Sequence, residues 1–246
     1  MTVYVWAVIL IFSVSTIFAM LGMGGGMLHV PILLWLGFDL KTVAQPLGIL
    51  LNGLTSLVAL VTYARHGLVD WKGSLPMALT ALMLAPVGGW VAHRISEHVL
   101  LVLFILVIGV AALRTLQSLR QPEPNTTPQG QRWVWVSLGA GAAAFAGGML
   151  GLGGGTFISP LLMWMGYPTK RAVATTAYIV TFSSFSGFLG RVGYFHAPWN
   201  LTLILSLTVM VAAWLGSRLM ATRAKPRWIK TAYALLLLGV GVKLVI

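Results

Sequence analysis

Leu21-Gly-Met-Gly-Gly-Gly-Met27 returns 129 residues later as Leu150-Gly-Leu-Gly-Gly-Gly-Thr156. The match continues at the same offset, with His29-Val-Pro-Ile-Leu-Leu-Trp-Leu-Gly-Phe38 against Ile158-Ser-Pro-Leu-Leu-Met-Trp-Met-Gly-Tyr167. Gly22, Gly24, Gly25, Gly26, Pro31, Leu33, Trp35, Gly37 and Lys41 are identical to Gly151, Gly153, Gly154, Gly155, Pro160, Leu162, Trp164, Gly166 and Lys170. So dense a match at one fixed spacing marks an internal duplication. A weaker echo, Trp90-x-x-x-Arg94 against Trp214-x-x-x-Arg218, extends the repeat toward the end of each half.

What surrounds these signatures sets the class. Of the 246 residues 58% are apolar and 8% charged, against about 25% charged in soluble domains, which identifies an integral membrane protein. Residues 1–38, 42–64, 73–92, 99–113, 133–169, 172–190, 192–217 and 231–242 contain no Asp, Glu, Lys or Arg. A crossing of the hydrocarbon core takes about 20 helical residues. These runs therefore predict about eight spans, near 3–22, 42–64, 72–93, 98–118, 132–150, 171–191, 199–220 and 228–245. No basic stretch precedes the first apolar run, so that run reads as a retained helix and not a cleaved signal. Gln121-Pro-Glu-Pro-Asn-Thr-Thr-Pro-Gln-Gly-Gln131 is polar and rich in proline, and reads as a linker. The expected organisation is a first repeat over 1–120, a linker over 121–131 and a second repeat over 132–246.

Composition also excludes chemistries. The formal charge is +12, with sixteen Lys and Arg against the four acids Asp39, Asp70, Glu97 and Glu123. Sites that need several buried carboxylates have almost nothing to be built from. The absence of cysteine removes disulfides, thiolate nucleophiles and Cys-type metal centres. The basic excess lies in short clusters between apolar runs, where it faces anionic lipid headgroups, and no nucleic-acid surface is expected. No G-x-x-x-x-G-K-[ST] motif occurs, so the chain carries no nucleotide motor of its own.

Repeat orientation depends on the count. Four crossings per half make the halves parallel, related by an axis along the membrane normal. The apolar pieces 27–37 and 156–166 are too short to cross alone; if each extends into a full crossing, each half has five spans and the repeat is inverted. The eight-span, parallel reading is the expectation. It places the basic loop 218–230 in the cytoplasm and both termini outside.

Consecutive glycines in an apolar helix favour unwinding after spans one and five and leave N–H groups of the next helical piece unpaired. In lipid such groups need protein, water or a ligand. A helix N-terminus directs N–H donors and partial positive charge at anions. Gly24, Gly25, Gly26, Gly153, Gly154 and Gly155 are thus candidates to cradle an anion at two facing sites. Close helix packing is the alternative, and it is the preferred reading for Gly139-Ala-Gly-Ala-Ala-Ala-Phe-Ala-Gly-Gly148.

With its duplicated G-x-G-G-G and following proline on two four-helix halves, the chain resembles the sulfite exporter TauE/SafE family of membrane permeases. The resemblance implies a secondary transporter of the bacterial inner membrane for small sulfur oxyanions such as sulfite, sulfonates or sulfoacetate, and no enzyme. His29, where the second copy has Ile158, departs from the repeat.

Few polar side chains lie inside the spans. Asn52 and Ser56 on the second span, Gln45 and Thr42 near its start, and Thr156, Thr175, Thr176, Tyr178, Thr181, Ser183, Ser184 and Ser186 in the second copy form the pool of ligand candidates. Asn52, Thr156, Thr175 and Thr176 are chosen from it together with His29. Intrahelical bonding of the hydroxyls is the bland alternative. His29 lies one turn past the glycines, either as a proton-linked group or as a neutral ring bonded to a carbonyl. Arg65 and Arg191 end the second span of each half, where snorkelling to the interface is expected and anion steering is the alternative. The partners expected are a bilayer and a small anion. No cofactor is expected, and a coupling proton or sodium ion and a homo-oligomer are left open. A membrane-embedded enzyme and a cation or metal transporter are the competing classes; the first lacks a converging set of acids and bases, and the second lacks intramembrane Asp or Glu.

Overall fold

The structure is a computed structural model that describes residues 2–92, 94–96, 99, 102, 133–150, 153–225, 227–229 and 231. The expected linker and nearly all of the expected spans 98–118 and 228–245 lie outside the described residues. The described residues are helical and contain no strand. The helices are α1 (Thr2–Met20), α2 (Gly26–Trp35), α3 (Gln45–Arg65), α4 (Trp71–Ala92), α5 (Trp133–Leu150), α6 (Gly155–Trp164), α7 (Thr169–Leu189) and α8 (Trp199–Thr222). A π-helical turn, Leu40–Ala44, leads into α3. It is capped by the Asp39 carboxylate, which accepts from the Lys41 and Thr42 amides at 3.1 and 2.8 Å and from Thr42 Oγ1 at 2.7 Å. Four helical stretches among the described residues, Leu40–Arg65, Trp71–Ala92, Thr169–Leu189 and Trp199–Thr222, are long and apolar enough to cross a membrane, and α1 and α2 are shorter apolar helices.

At the glycines the chain reverses. Gly22, Gly24 and Gly25 have φ of 68°, 83° and 104°, values in the left-handed region that only glycine occupies readily. Past this turn α2 runs back along α1: Ser15 Oγ, five residues before the end of α1, lies 2.8 Å from His29 Nε2 on α2. The second copy closes in the same way. A Cβ on Gly154 would come within 3.0 Å of the Ala143 carbonyl oxygen, and one on Gly139 within 3.0 Å of the Leu161 side chain. The run 139–148 thus serves as a small-residue packing surface.

Helices α3 and α7, which follow the two glycine turns, pack against each other in opposite directions. Descending α3 meets ascending α7: Gly53 faces Ser184, Ile49 faces Gly187, and Gln45 reaches Arg191. The parallel relation expected from four crossings per half is therefore not what these helices show. The reversal at each glycine cluster adds a return leg that a count of long apolar runs does not include.

The halves also exchange their later helices. Helix α4 lies on α5, and α8 lies on α1. Both contacts need a missing side chain, since a Cβ on Gly88 or Gly216 would collide with the backbone carbonyl of Phe145 or Thr16 respectively. Phe145 and Thr16 are 129 residues apart, so the duplication is carried into the packing. Outward-facing Leu79 and Met83 of α4 and Leu203, Leu207 and Val211 of α8 are exposed apolar side chains suited to lipid. Exposed Trp71, Trp90, Trp199 and Trp214 lie at or toward the ends of these helices, as in an interfacial aromatic belt. Arg94 covers the Trp90 ring at 3.9 Å and Arg218 the Trp214 ring at 5.4 Å, which makes the Trp-x-x-x-Arg echo a pair of cation–π contacts.

Candidate functional site

The tips of the two glycine hairpins meet at Asn52. This asparagine is fully buried on α3, and its Oδ1 accepts from the Gly26 amide at 2.6 Å, at the N-terminus of α2. Its Nδ2 donates to Ser184 Oγ on α7 at 2.7 Å. A Cβ at either Gly24 or Gly153 would collide with the Asn52 carboxamide, so the glycines of both turns lie directly against it. Ser183 Oγ donates to the Gly153 carbonyl at 2.8 Å, and Ser159 Oγ to the Leu21 carbonyl at 3.3 Å, which ties each tip to the other copy or to the helix beside it. Gly155 lies against the Met23 backbone, where a Cβ would be 2.6 Å from the carbonyl oxygen.

Donors remain open here. Among the described residues no acceptor meets the N–H groups of Gly24, Gly25 and Met27. Ser56 is 1% exposed and its hydroxyl has no partner, although it lies beside Gly24. Buried donors without partners are rare and costly. A small acceptor-rich ligand would satisfy several of them at once.

The expected site residues divide into those that converge and those that do not. Gly24, Gly26, Asn52 and Gly153 converge, and Gly155 touches the opposite tip. Gly25 packs on the His29 ring, with a Cβ position 2.8 Å from Nε2, while Gly154 packs on α5. His29 is fully buried; Nε2 pairs with Ser15 Oγ and Nδ1 makes no hydrogen bond. Thr156 is buried at the start of α6. Thr175 lies elsewhere, accepting from the Asp70 amide at 3.2 Å toward the start of α7. Thr176 is buried with an unpaired hydroxyl, eight residues from Ser184 on α7 and so about 12 Å along the axis. Lys170 is occupied as a cap, its Nζ donating to the Ala221 carbonyl at the end of α8 at 3.3 Å.

Arg191 corrects the snorkelling reading. Arg65 is exposed as expected, but Arg191 is 1% exposed. Its Nη1 donates to Gln45 Oε1 at 2.7 Å, and Nη2 to the carbonyls of Gly148 and Met149 at 2.5 and 3.3 Å. Sequence reasoning also passed over Ser15 and Tyr63. The only signal for either is a polar atom in an apolar run, and that signal does not say which helix it meets.

Two interlocked helical hairpins with glycine tips, flanked by long apolar helices, define a multi-pass helical membrane protein with its polar groups gathered between the halves. The chain belongs to the family described as sulfite exporter TauE/SafE, whose profile matches residues 7–244, and it is a membrane transporter of that family. It is 26% identical to the probable membrane transporter protein YunE of Bacillus subtilis, over 93% of this chain and 91% of that one. It is 25% identical to the probable membrane transporter protein y4hK of Sinorhizobium fredii, over 95% and 94%. A shorter match, 33% over 42% of this chain and 21% of the other, joins it to sulfite exporter TauE/SafE family protein 3 of Arabidopsis thaliana. No solved structure matches it.

Proposed function

We propose that the protein is a secondary transporter that moves a small oxyanion, a sulfite, sulfonate or related organosulfur anion, across the bacterial inner membrane by alternating access. The substrate is held between the two glycine tips, by the open amides of the first tip with Asn52, Ser56 and Ser184, and with Gly153 to Gly155 facing them. Two repeats, 1–120 and 132–246, joined by the linker 121–131, form an inverted pair in this reading, so that the hairpins enter from opposite faces and overlap at the site. An inverted pair supplies two equivalent states of opposite openness, which is what alternating access needs.

The observation that carries the reading is Asn52, one buried carboxamide that contacts both glycine turns and sits among unsatisfied donors. The sign of the substrate follows from the donors: the open groups are N–H and O–H, the tip of α2 carries positive potential, and no acid lies within α1, α2, α3 or α7. In the detergent-purified protein, sulfite or a small sulfonate is expected to raise the melting temperature at concentrations where chloride does not, because a ligand bound only by the folded state stabilises it. Stabilisation by metal or organic cations, with none from any oxyanion, would overturn the assignment.

A further inference from the structure

Arg191 carries a buried charge that its structural contacts do not require. Its position follows the end of α7, where it reaches the last carbonyls of α5, Gly148 and Met149, just before the second glycine turn. In the first half the corresponding carbonyl, that of Ala19, is 129 residues earlier and is met by the hydroxyl of Tyr63. A neutral phenol therefore suffices to cap a helix end at this place in the fold. The second half uses a guanidinium, with five N–H donors and a full charge. Taking an unpaired charge out of water costs several kcal/mol.

No carboxylate offsets it among the described residues. Asp39 is exposed and committed to the cap of the π-turn, and Asp70 accepts from Tyr167 Oη and the Gly73 amide at 3.0 Å each. The neighbours that face Arg191 are the amide of Gln45, two carbonyls and Gly89 of α4. Arg191 Nε has no partner and lies against Gly89, where a Cβ would stand 3.2 Å from it. Buried charge, an unused donor and a neighbour without a side chain coincide at one atom. An anion with acceptor oxygens is the chemical complement of a guanidinium with an unused N–H donor.

We propose that Arg191 is a second anion-binding position, at which the small oxyanion docks on its way to or from the Asn52 site. This rests on the anion-transport reading above. Ser184, which bonds Asn52, lies seven residues earlier along the chain, about 10 Å at the helical rise, so the two positions are separate stations on one path. Gln45 and the α5 carbonyls hold the guanidinium, while Nε, with the one Nη1 N–H that Gln45 does not use, takes the substrate.

The test titrates sulfite against purified wild type, Arg191→Lys, Arg191→Gln and Gly89→Ala, reading thermal stabilisation and uptake into liposomes. Arg191→Gln is expected to weaken sulfite binding by about tenfold or more, and Arg191→Lys, which keeps the charge, by only a few-fold. Gly89→Ala, which leaves the charge and its cap in place but crowds Nε, is expected to weaken binding with little change in the ligand-free melting temperature. Wild-type sulfite affinity in folded Arg191→Gln overturns the proposal, and if that variant does not fold, wild-type affinity and uptake in Gly89→Ala overturn it. If the wild type itself is stabilised by no oxyanion, the anion-transport reading fails first, and Arg191 is a helix cap alone.

Discussion

Tyr63 and Arg191 do the same mechanical task in opposite halves of the chain. The Tyr63 hydroxyl donates to the Ala19 carbonyl and the Arg191 guanidinium to the Gly148 carbonyl, each at the end of the helix that precedes a glycine turn. Orphan carbonyls at a helix C-terminus must find donors when water is excluded. Removing the phenolic hydroxyl with Tyr63→Phe is expected to cost about 1 kcal/mol, seen as a lower melting temperature, and to leave sulfite affinity within about twofold. A large loss of affinity in Tyr63→Phe would mean that the cap shapes the binding site.

Asn52 separates charge from hydrogen bonding. Asn52→Asp keeps an acceptor for the Gly26 amide but puts an anion where an anion is to bind, and it is expected to abolish oxyanion stabilisation in a protein that still reaches the membrane. Asn52→Ala leaves the Gly26 N–H and Ser184 without this partner, at about 1–3 kcal/mol. If Asn52→Asp transports oxyanions normally, the substrate does not pass this residue.

Two glycines distinguish hairpin closure from ligand handling. A Cβ at Gly147 would collide with the backbone of Gly154 in the returning leg, so Gly147→Ala is expected to lower membrane abundance by opening the hairpin. At Gly25 the obstacle is the ring of His29, which can shift, while φ of 104° adds strain of about 1–3 kcal/mol for a non-glycine residue. Gly25→Ala should therefore accumulate better than Gly147→Ala yet transport poorly. Equal abundance and equal transport in the two would show that the first glycine turn is packing alone.

His29 occupies the position of Ile158 in the repeat. His29→Ile makes the first copy match the second there and removes the bond from Nε2 to Ser15. Initial rates of sulfite uptake across a pH series are expected to lose part of their pH dependence in this variant. An unchanged profile at full activity would leave His29 with a packing role.

Membrane character, duplication and the glycine clusters were legible in the chain because they rest on local properties. Hydropathy over about 20 residues decides whether a helix prefers lipid, and a 129-residue offset is visible without any knowledge of contacts. Gly24, Gly26, Asn52 and Gly153 could be singled out for the same reason: they are polar or side-chain-free positions within apolar runs. What those residues meet was decided by the tertiary structure. Whether a glycine break continues forward or turns back depends on which neighbour fills the space beside it, and the bond from Ser15 to His29 exists only because α2 returns along α1. That reversal sets α3 against α7 in opposite directions and brings Arg191 inward to Gln45 instead of out to the headgroups. An arginine at the end of an apolar run has the same local sequence whether it snorkels or is buried; only the packing of distant helices around it distinguishes the two.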